Sequence, residues 1–435
     1  MIYLDHAATS DPKPPEVVRA VLETLEAPNG NPGRAGHRAS LEAARRIFRA
    51  REALAQLLGV ADASRLIFTA GATDALNLAI QGSLGQQGGE VFLSSLEHNA
   101  VTRPLATWRR RTGGTVRVIP PGPGVPLDLR WLRAHLTSAA RLVVVSQVSN
   151  VTGEILPVEE VATLCRDLGV RLLVDAAQGA GHLNTRWSKW DPCLVAASGH
   201  KGLLGPQGVG LLYVSPDLDL IPTRVGGTGD GLGPHRTVPT TWPDWYEPGT
   251  PNTPGIVGLG AAAEVLLRVG LANVERHEMR LGQRLVDGLG RLQGVRILRT
   301  GSAPGVTGVV SITVEGRHAS EVANVLEERA WIQTRSGLHC APLAHRTVGT
   351  LHKGAVRLSV GLSTSMEDVD EALEALAALA GEPLPQRWEN DVPHVRQHPR
   401  RLEGRGHADL GWDSRTSGAE ADGDPRRLRP SRKGA

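Results

Sequence analysis

Cysteine is nearly absent from this 435-residue chain; Cys165, Cys193 and Cys340 are all it has. An odd, sparse set without paired spacing argues against a disulfide scaffold and against a four-ligand zinc site, so no bound metal is expected. Long hydrophobic runs are missing too. None reaches the ~18 residues a membrane span needs, and the run Gly255–Leu267 is interrupted by Glu264. The opening MIYLDHAATS carries Asp5 and His6 where a secretory signal would be basic and then apolar. No repeat of about 20–50 residues recurs, and no GxxxxGK[ST] string is present to suggest an ATP-type loop. These absences lead us to expect a protein of the reducing cytoplasm with no membrane contact.

Lysine is scarce as well. Lys13, Lys189, Lys201, Lys353 and Lys433 stand against 43 arginines. Arginine carries the ordinary surface charge, so each lysine is a short-list candidate for chemistry that needs a titratable amine. The formal net charge is +3 and the sequence pI near 8.9, which alone would hint at nucleic acid. Residues 386–435, however, hold 11 Lys+Arg and 8 Asp+Glu, leaving 37 basic and 37 acidic residues before them. The body of the protein is formally neutral, and no nucleic-acid groove is expected.

What is present is a pattern of alternating strands and helices. Apolar residues make up 40% of the chain, enough for a sizeable core. Apolar, β-rich runs occur at Leu66–Thr69, Val91–Ser94, Val116–Ile119, Leu142–Ser146, Val170–Val174 and Val209–Val214. LVVVS and VRLLV lack alternation, as strands covered on both faces do. Helical patterns fall between them at Leu41–Leu58, Ala75–Gln81 and Pro157–Leu168. This order predicts an α/β domain with a largely parallel sheet, whose ligands sit at the carboxyl ends of the strands. Past the Gly/Pro-rich stretch Val225–Pro254 comes a long helical region, about Pro254–Leu292. Strands near Val309–Val314 and Val356–Val360 and helices near Ala319–Arg329 and Met366–Ala380 follow. We therefore expect an N-terminal segment (1–14) packing near the active site and a large domain (15–253). A smaller α+β domain (254–385) and a disordered tail (386–435) complete the chain.

Four stretches carry chemistry-bearing residues. In SGHKGLLGPQGVG, Lys201 lies in a Gly-rich turn after an apolar strand; loss of water there would lower its pKa and make the amine nucleophilic. Ser198 and His200 beside it can donate to a phosphate. In VDAAQGAGH, Asp175 ends a buried strand, where a carboxylate needs a partner such as a protonated ring nitrogen; capping a following helix is the alternative role. Gln178 lies within reach of the same ring. GATDALNL turns from strand into helix and offers the amides of Ala72 and Thr73, with the Thr73 hydroxyl, to an anion. In LEHNA, His98 follows a strand and could stack on a planar cofactor, move protons or cap a helix.

Together with YLDHAAT, GNPGRAGH, SNVTGEILP, EPGTPNTPG, RSGLHCAP and GAVRLSVG, these stretches resemble the class V aminotransferase family of pyridoxal-phosphate enzymes, in particular its cysteine desulfurase and selenocysteine lyase branch. The resemblance spans about residues 1–382 and preserves motif order. It implies fold type I, with a mainly parallel seven-stranded sheet in the large domain. It implies that Lys201 forms a Schiff base with pyridoxal 5'-phosphate, Asp175 pairs with the pyridine nitrogen, Gln178 with the ring hydroxyl, and His98 stacks on the ring. Ala72, Thr73, Ser198 and His200 would hold the phosphate, and Thr250 would reach the phosphate of the partner in a homodimer. Asn150 would approach cofactor and substrate, and Arg357 would clamp the substrate carboxylate, with His37 and Arg335 also on the substrate side.

Cys340 separates the branches. RSGLHCAP resembles the short-loop desulfurases, and the cysteine is flanked by Arg335 and Arg357, a setting that favours thiolate. The implied reaction turns L-cysteine into L-alanine and leaves a persulfide on Cys340 for an acceptor protein, with Lys201 moving the Cα proton and His98 a proton shuttle. Selenocysteine as substrate, transamination, epimerisation, and a non-catalytic scaffold are the alternatives. Two departures from relatives stand out: Trp245–Tyr246 before the Glu-Pro-Gly-Thr string, and Leu362–Ser363 after Arg357.

Overall fold

Apolar runs that are buried without alternation build the main sheet. The computed structural model describes residues 1–27, 30–33, 35–227, 242–301 and 307–381. The expected tail 386–435 lies outside them, as does the middle of the Gly/Pro-rich stretch. After a two-residue strand β1 (Ile2–Tyr3), seven strands assemble: β2 (Leu66–Thr69), β3 (Glu90–Ser94), β4 (Thr115–Ile119), β5 (Ala140–Ser146), β6 (Arg171–Asp175), β7 (Cys193–Ser198) and β8 (Gly210–Val214). Their order is β2-β8-β7-β6-β5-β3-β4. Only β8 runs antiparallel to its neighbours, so the sheet is mainly parallel, as expected.

Successive strand residues enter opposite cores. Val143, Val145, Leu172 and Val174 join one apolar cluster with helices Arg38–Leu58, Val158–Leu168 and Thr253–Val269. Val144, Leu173, Leu194 and Leu212 join another with helices Ala72–Leu84 and Asn99–Thr112. That two-sided burial is why the strands read as continuous apolar runs. Each fully buried Leu or Val contributes about 1.5–3 kcal/mol.

The carboxyl-terminal edge of this sheet positions the chemistry. Ser146 at the end of β5 lies in register with Asp175 at the end of β6, and Ser198 ends β7 one strand over.

The long helical region expected at 254–292 is two helices, Thr253–Val269 and Leu271–Leu289, bent by 81°. The break falls at Gly270, whose φ of 82° lies in the left-handed region that favours glycine. Among the described residues no single helix is long and apolar enough to cross a membrane. Beyond these helices β9 (Val295–Ile297), β10 (Val309–Val314), β12 (Arg335–Gly337) and β13 (Ala355–Ser359) form an antiparallel sheet in the order β12-β13-β10-β9. Strand β11 (Ile332–Gln333) pairs with β1, so the N-terminal segment is tied to the sheet that carries Arg335 and Arg357.

Candidate active site

A cavity of about 530 Å³ opens at the carboxyl-terminal edge of the main sheet. Ala72, Thr73, His98, Asn150, Asp175, Gln178, Ser198, His200 and Lys201 all line it, which brings nine residues singled out from five separate motifs into one site.

Lys201 sits in the turn after β7. Burial lowers its pKa from 10.5 to about 8, against the pull of Asp175, with Arg357 and Arg335 adding to the drop. At pH 7 about a tenth of the amine is then neutral, several hundredfold more than for an ordinary lysine. Asp175 is buried, and burial raises its pKa. Its Oδ1 accepts from the amide of Ala177 at 2.9 Å, but turns rather than a helix follow it, so it is not a helix cap. Gln178 donates from Nε2 to the carbonyl of Ala7 at 2.8 Å, while its Oε1 is buried without a partner.

The helix Ala72–Leu84 begins after Gly71 with no side-chain cap. The amides of its first turn are therefore open to an anion. His98 lines the cavity and does one of the jobs open to it, capping helix Asn99–Thr112, its Nδ1 accepting from Ala100 at 3.0 Å. Burial, then Lys201 and Arg335, lower its pKa to about 4, so the ring is neutral with its proton on Nε2.

The second sheet meets the site at Asn150. Arg357, 1% exposed, donates from Nη2 to Asp5 Oδ1 at 2.8 Å and from Nη1 to the carbonyl of Asn150 at 3.2 Å. Its Nε is buried without a partner, a donor that a carboxylate could fill. Asn150 in turn donates from Nδ2 to the carbonyl of His339 at 2.8 Å. Cys340 is a free, exposed thiol, 3.6 Å from Nη2 of Arg335. His339 and Cys340 both have left-handed backbones, φ 49° and 56°, a strain that non-glycine residues accept mostly at functional sites. Cys165 and Cys193 are buried, and burial raises both thiols, which leaves Cys340 as the accessible sulfur.

Two expected residues stand apart. Thr250 is exposed and accepts a hydrogen bond from Asn31 at 3.1 Å. His37 is exposed and caps helix Arg38–Leu58 through Ser40. Neither lines the cavity; nor do Arg335, Cys340 and Arg357, but their elements are bonded to its wall at Asn150.

Sequence reasoning gave three residues no role in the site. Asp5 holds Arg357. Glu97 is fully buried behind the site, its carboxylate bound by Ser94 Oγ at 2.6 Å, the Ser146 amide at 2.6 Å and Ser146 Oγ at 2.9 Å. Lys13 donates to Ser10 Oγ at 2.7 Å and to the His200 carbonyl at 2.9 Å, and burial lowers it to about 8. Signals existed: Asp5 and Glu97 lie inside YLDHAAT and EHNA, and Lys13 is one of five lysines.

Comparison with known proteins agrees with this geometry. The family described as aminotransferase class-V matches residues 2–372. A probable cysteine desulfurase of Methanothermobacter thermautotrophicus is 32% identical, the match covering 87% of this chain and 95% of the relative. One of Aeropyrum pernix is 35% identical, covering 86% and 93%. Among solved structures, the cysteine desulfurase of Thermococcus onnurineus NA1 superposes with a TM-score of 0.81 at 32% identity, covering 87% and 94%. The cysteine desulfurase CsdA of Escherichia coli does so at 0.77 and 30%, covering 86% and 93%. A lysine, an aspartate and an anion-ready helix start converge on one cavity, in a chain whose residues 2–372 match the family: this protein belongs to the class V aminotransferase family.

Proposed function

We propose that this chain is a pyridoxal-phosphate-dependent cysteine desulfurase that converts L-cysteine to L-alanine and retains the sulfur as a persulfide on Cys340. The observation that carries this reading is the exposed Cys340 beside Arg335, on a loop bonded to Asn150 and to the helix behind His98, and within electrostatic reach of the low-pKa amine of Lys201.

The residues fit the cofactor. The partnerless Oε1 of Gln178 can accept from a ring hydroxyl, the buried Asp175 carboxyl gains a cation to face, and the uncapped amides after Gly71 can take a phosphate. Lys201 is the residue to hold it covalently. Pyridoxal phosphate supplies, when bound, an electron-withdrawing ring that acidifies the substrate Cα–H bond. The amine of Lys201 takes that proton and returns it. Arg357, oriented by Asp5, offers Nε to the substrate carboxylate. The thiolate of Cys340 attacks the substrate sulfur; a sulfur–sulfur bond forms as the Cβ–sulfur bond breaks, and alanine leaves. His98, neutral, supplies a proton from Nε2 to the departing fragment.

A homodimer is part of this proposal. Val18, Leu22 and Leu25 form an exposed apolar stripe on helix Pro15–Glu26, and Leu41 and Phe48 another on helix Arg38–Leu58. A second copy of the chain would cover them. Three free thiols support action in the reducing cytoplasm, where an acceptor protein would collect the sulfur. The deciding experiment measures alanine released from L-cysteine and from selenocysteine by the purified holoenzyme, with mass spectrometry of Cys340. No alanine, or turnover without added sulfur on Cys340, defeats the proposal.

A further inference from the structure

Beneath the thiol turn lies a row of side chains that the proposed reaction does not use. Thr350 Oγ1 is 2.7 Å from His345 Nδ1, His345 Nε2 is 3.1 Å from His339 Nδ1, and His339 Nε2 is 3.2 Å from the carbonyl oxygen of Arg335. His339, His345 and Thr350 are all buried, and the two rings meet edge to edge, their centroids 5.3 Å apart and their planes 26° from parallel. We infer that Thr350, His345 and His339 form a one-directional hydrogen-bond chain whose task is to hold the Cys340 turn against Arg335, making them positioning residues for the sulfur acceptor.

The direction follows from elementary donor and acceptor rules. A carbonyl can only accept, so His339 carries a proton on Nε2. Burial and the neighbouring Arg357 keep His339 neutral, its pKa lowered to about 3; its Nδ1 is therefore bare and must accept. His345 consequently donates from Nε2, and, lowered by burial to about 4, it too is neutral with a bare Nδ1. That nitrogen accepts the Thr350 hydroxyl proton. Each link fixes the next: a second proton on His339 would set two N–H groups face to face, and one on His345 would force the Thr350 hydroxyl to accept instead of donate.

The chain is placed where the turn needs support. It ties Thr350, in the segment leading to β13, to Arg335 at the start of β12. It spans a loop in which two consecutive residues are left-handed. It also fixes the backbone of the arginine whose guanidinium lies 3.6 Å from the sulfur. Without it the turn can relax and carry the sulfur away from that cation.

This inference rests on Cys340 as the sulfur acceptor, yet its test needs no turnover. In the holoenzyme, reaction of Cys340 with iodoacetamide is followed by mass spectrometry, the buried Cys165 and Cys193 serving as internal controls. With His345→Leu and with Thr350→Val, labelling of Cys340 at about neutral pH should slow at least about fivefold, because the sulfur loses its cationic neighbour. His345→Gln, which can still donate to His339, should stay within about twofold of wild type. Thr350→Val exchanges one hydroxyl for a methyl group and carries the test if His345→Leu fails to fold. Nitrogen-15 spectra of histidine-labelled holoenzyme should show both rings neutral with the proton on Nε2. Unchanged labelling in Thr350→Val, no recovery in His345→Gln, or a proton on Nδ1 of either ring overturns the chain. Should labelling and spectra come out as expected while cysteine yields no alanine, the desulfurase reading falls and the chain stands.

Discussion

The backbone amide of Asn99 donates to the carbonyl of Cys340 at 2.8 Å, so the helix that begins behind His98 is fastened to the loop that carries the thiol. Sulfur acceptor and histidine, far apart in sequence, keep a fixed spacing across the cavity. The loop is thus a fitted wall of the site.

Removing the sulfur should therefore leave the wall standing. Cys340→Ala is expected to abolish alanine release from cysteine while the yellow cofactor absorbance and the melting temperature stay near wild type. Full sulfide release by this variant would remove Cys340 from the reaction.

Lys201 sets a pH dependence that can be read in cofactor capture. Its pKa is lowered from 10.5 to about 8, so at pH near 8 the neutral amine is about 150-fold more abundant than for an ordinary lysine. Rebinding of pyridoxal phosphate to the apoprotein, followed by absorbance, should accelerate as pH rises and reach half its plateau rate near pH 8. Lys201→Ala should show no covalent capture. A borohydride-stable adduct in that variant would contradict the assignment.

Asp5 should matter more than its place near the chain start suggests. Arg357 is 1% exposed, and removing its carboxylate partner leaves a buried cation short of compensation. Asp5→Asn is expected to destabilise the protein by about 2 kcal/mol, the value of a hydrogen bond to a charged group, and to raise KM for cysteine several-fold with a smaller change in kcat. Denaturant melts and steady-state kinetics check both, and an unchanged KM would separate Asp5 from substrate binding.

Glu97 predicts a stability trend with a definite sign. Burial, then the nearby Asp175, raise its pKa from 4.5 to about 7. Between these values the folded state holds a proton that the unfolded state has lost, so this group's contribution to stability declines as pH rises through that window. Glu97→Gln keeps the acceptor for the Ser146 amide but cannot ionise. The gap in melting temperature between the variant and wild type should widen in the variant's favour from pH 5 to pH 8, the full effect being roughly 3 kcal/mol. A gap independent of pH would mean that Glu97 titrates normally.

The main sheet was legible because its strands are buried on both sides, and unalternating runs such as LVVVS signal that directly. Lys201, Asp175 and the start of helix Ala72–Leu84 were legible for a related reason: each lies where a strand ends, and small residues there mark a cleft. The short strands β1 and β11 were not, since two residues carry no periodicity and their pairing joins residues 2–3 to residues 332–333, far away in sequence. Nor was the Thr350–His345–His339 row. Histidines six residues apart look unrelated until the turn at Cys340 brings the edge of one ring to the edge of the other. Glu97 was hidden by its neighbour: in EHNA the histidine draws the eye, yet the glutamate is the residue that fastens the ends of β3 and β5.

The left-handed backbone at Cys340 has a consequence for how this chain could drift. Glycine relieves a left-handed site by about 1 kcal/mol or more, so folding alone would favour Cys340→Gly. A descendant freed from the need to carry sulfur gains stability from that single change and keeps every other contact of the loop. Glycine at this position in a sister chain would then mark a retired activity on an intact scaffold, and cysteine there a protein still selected against its own folding preference.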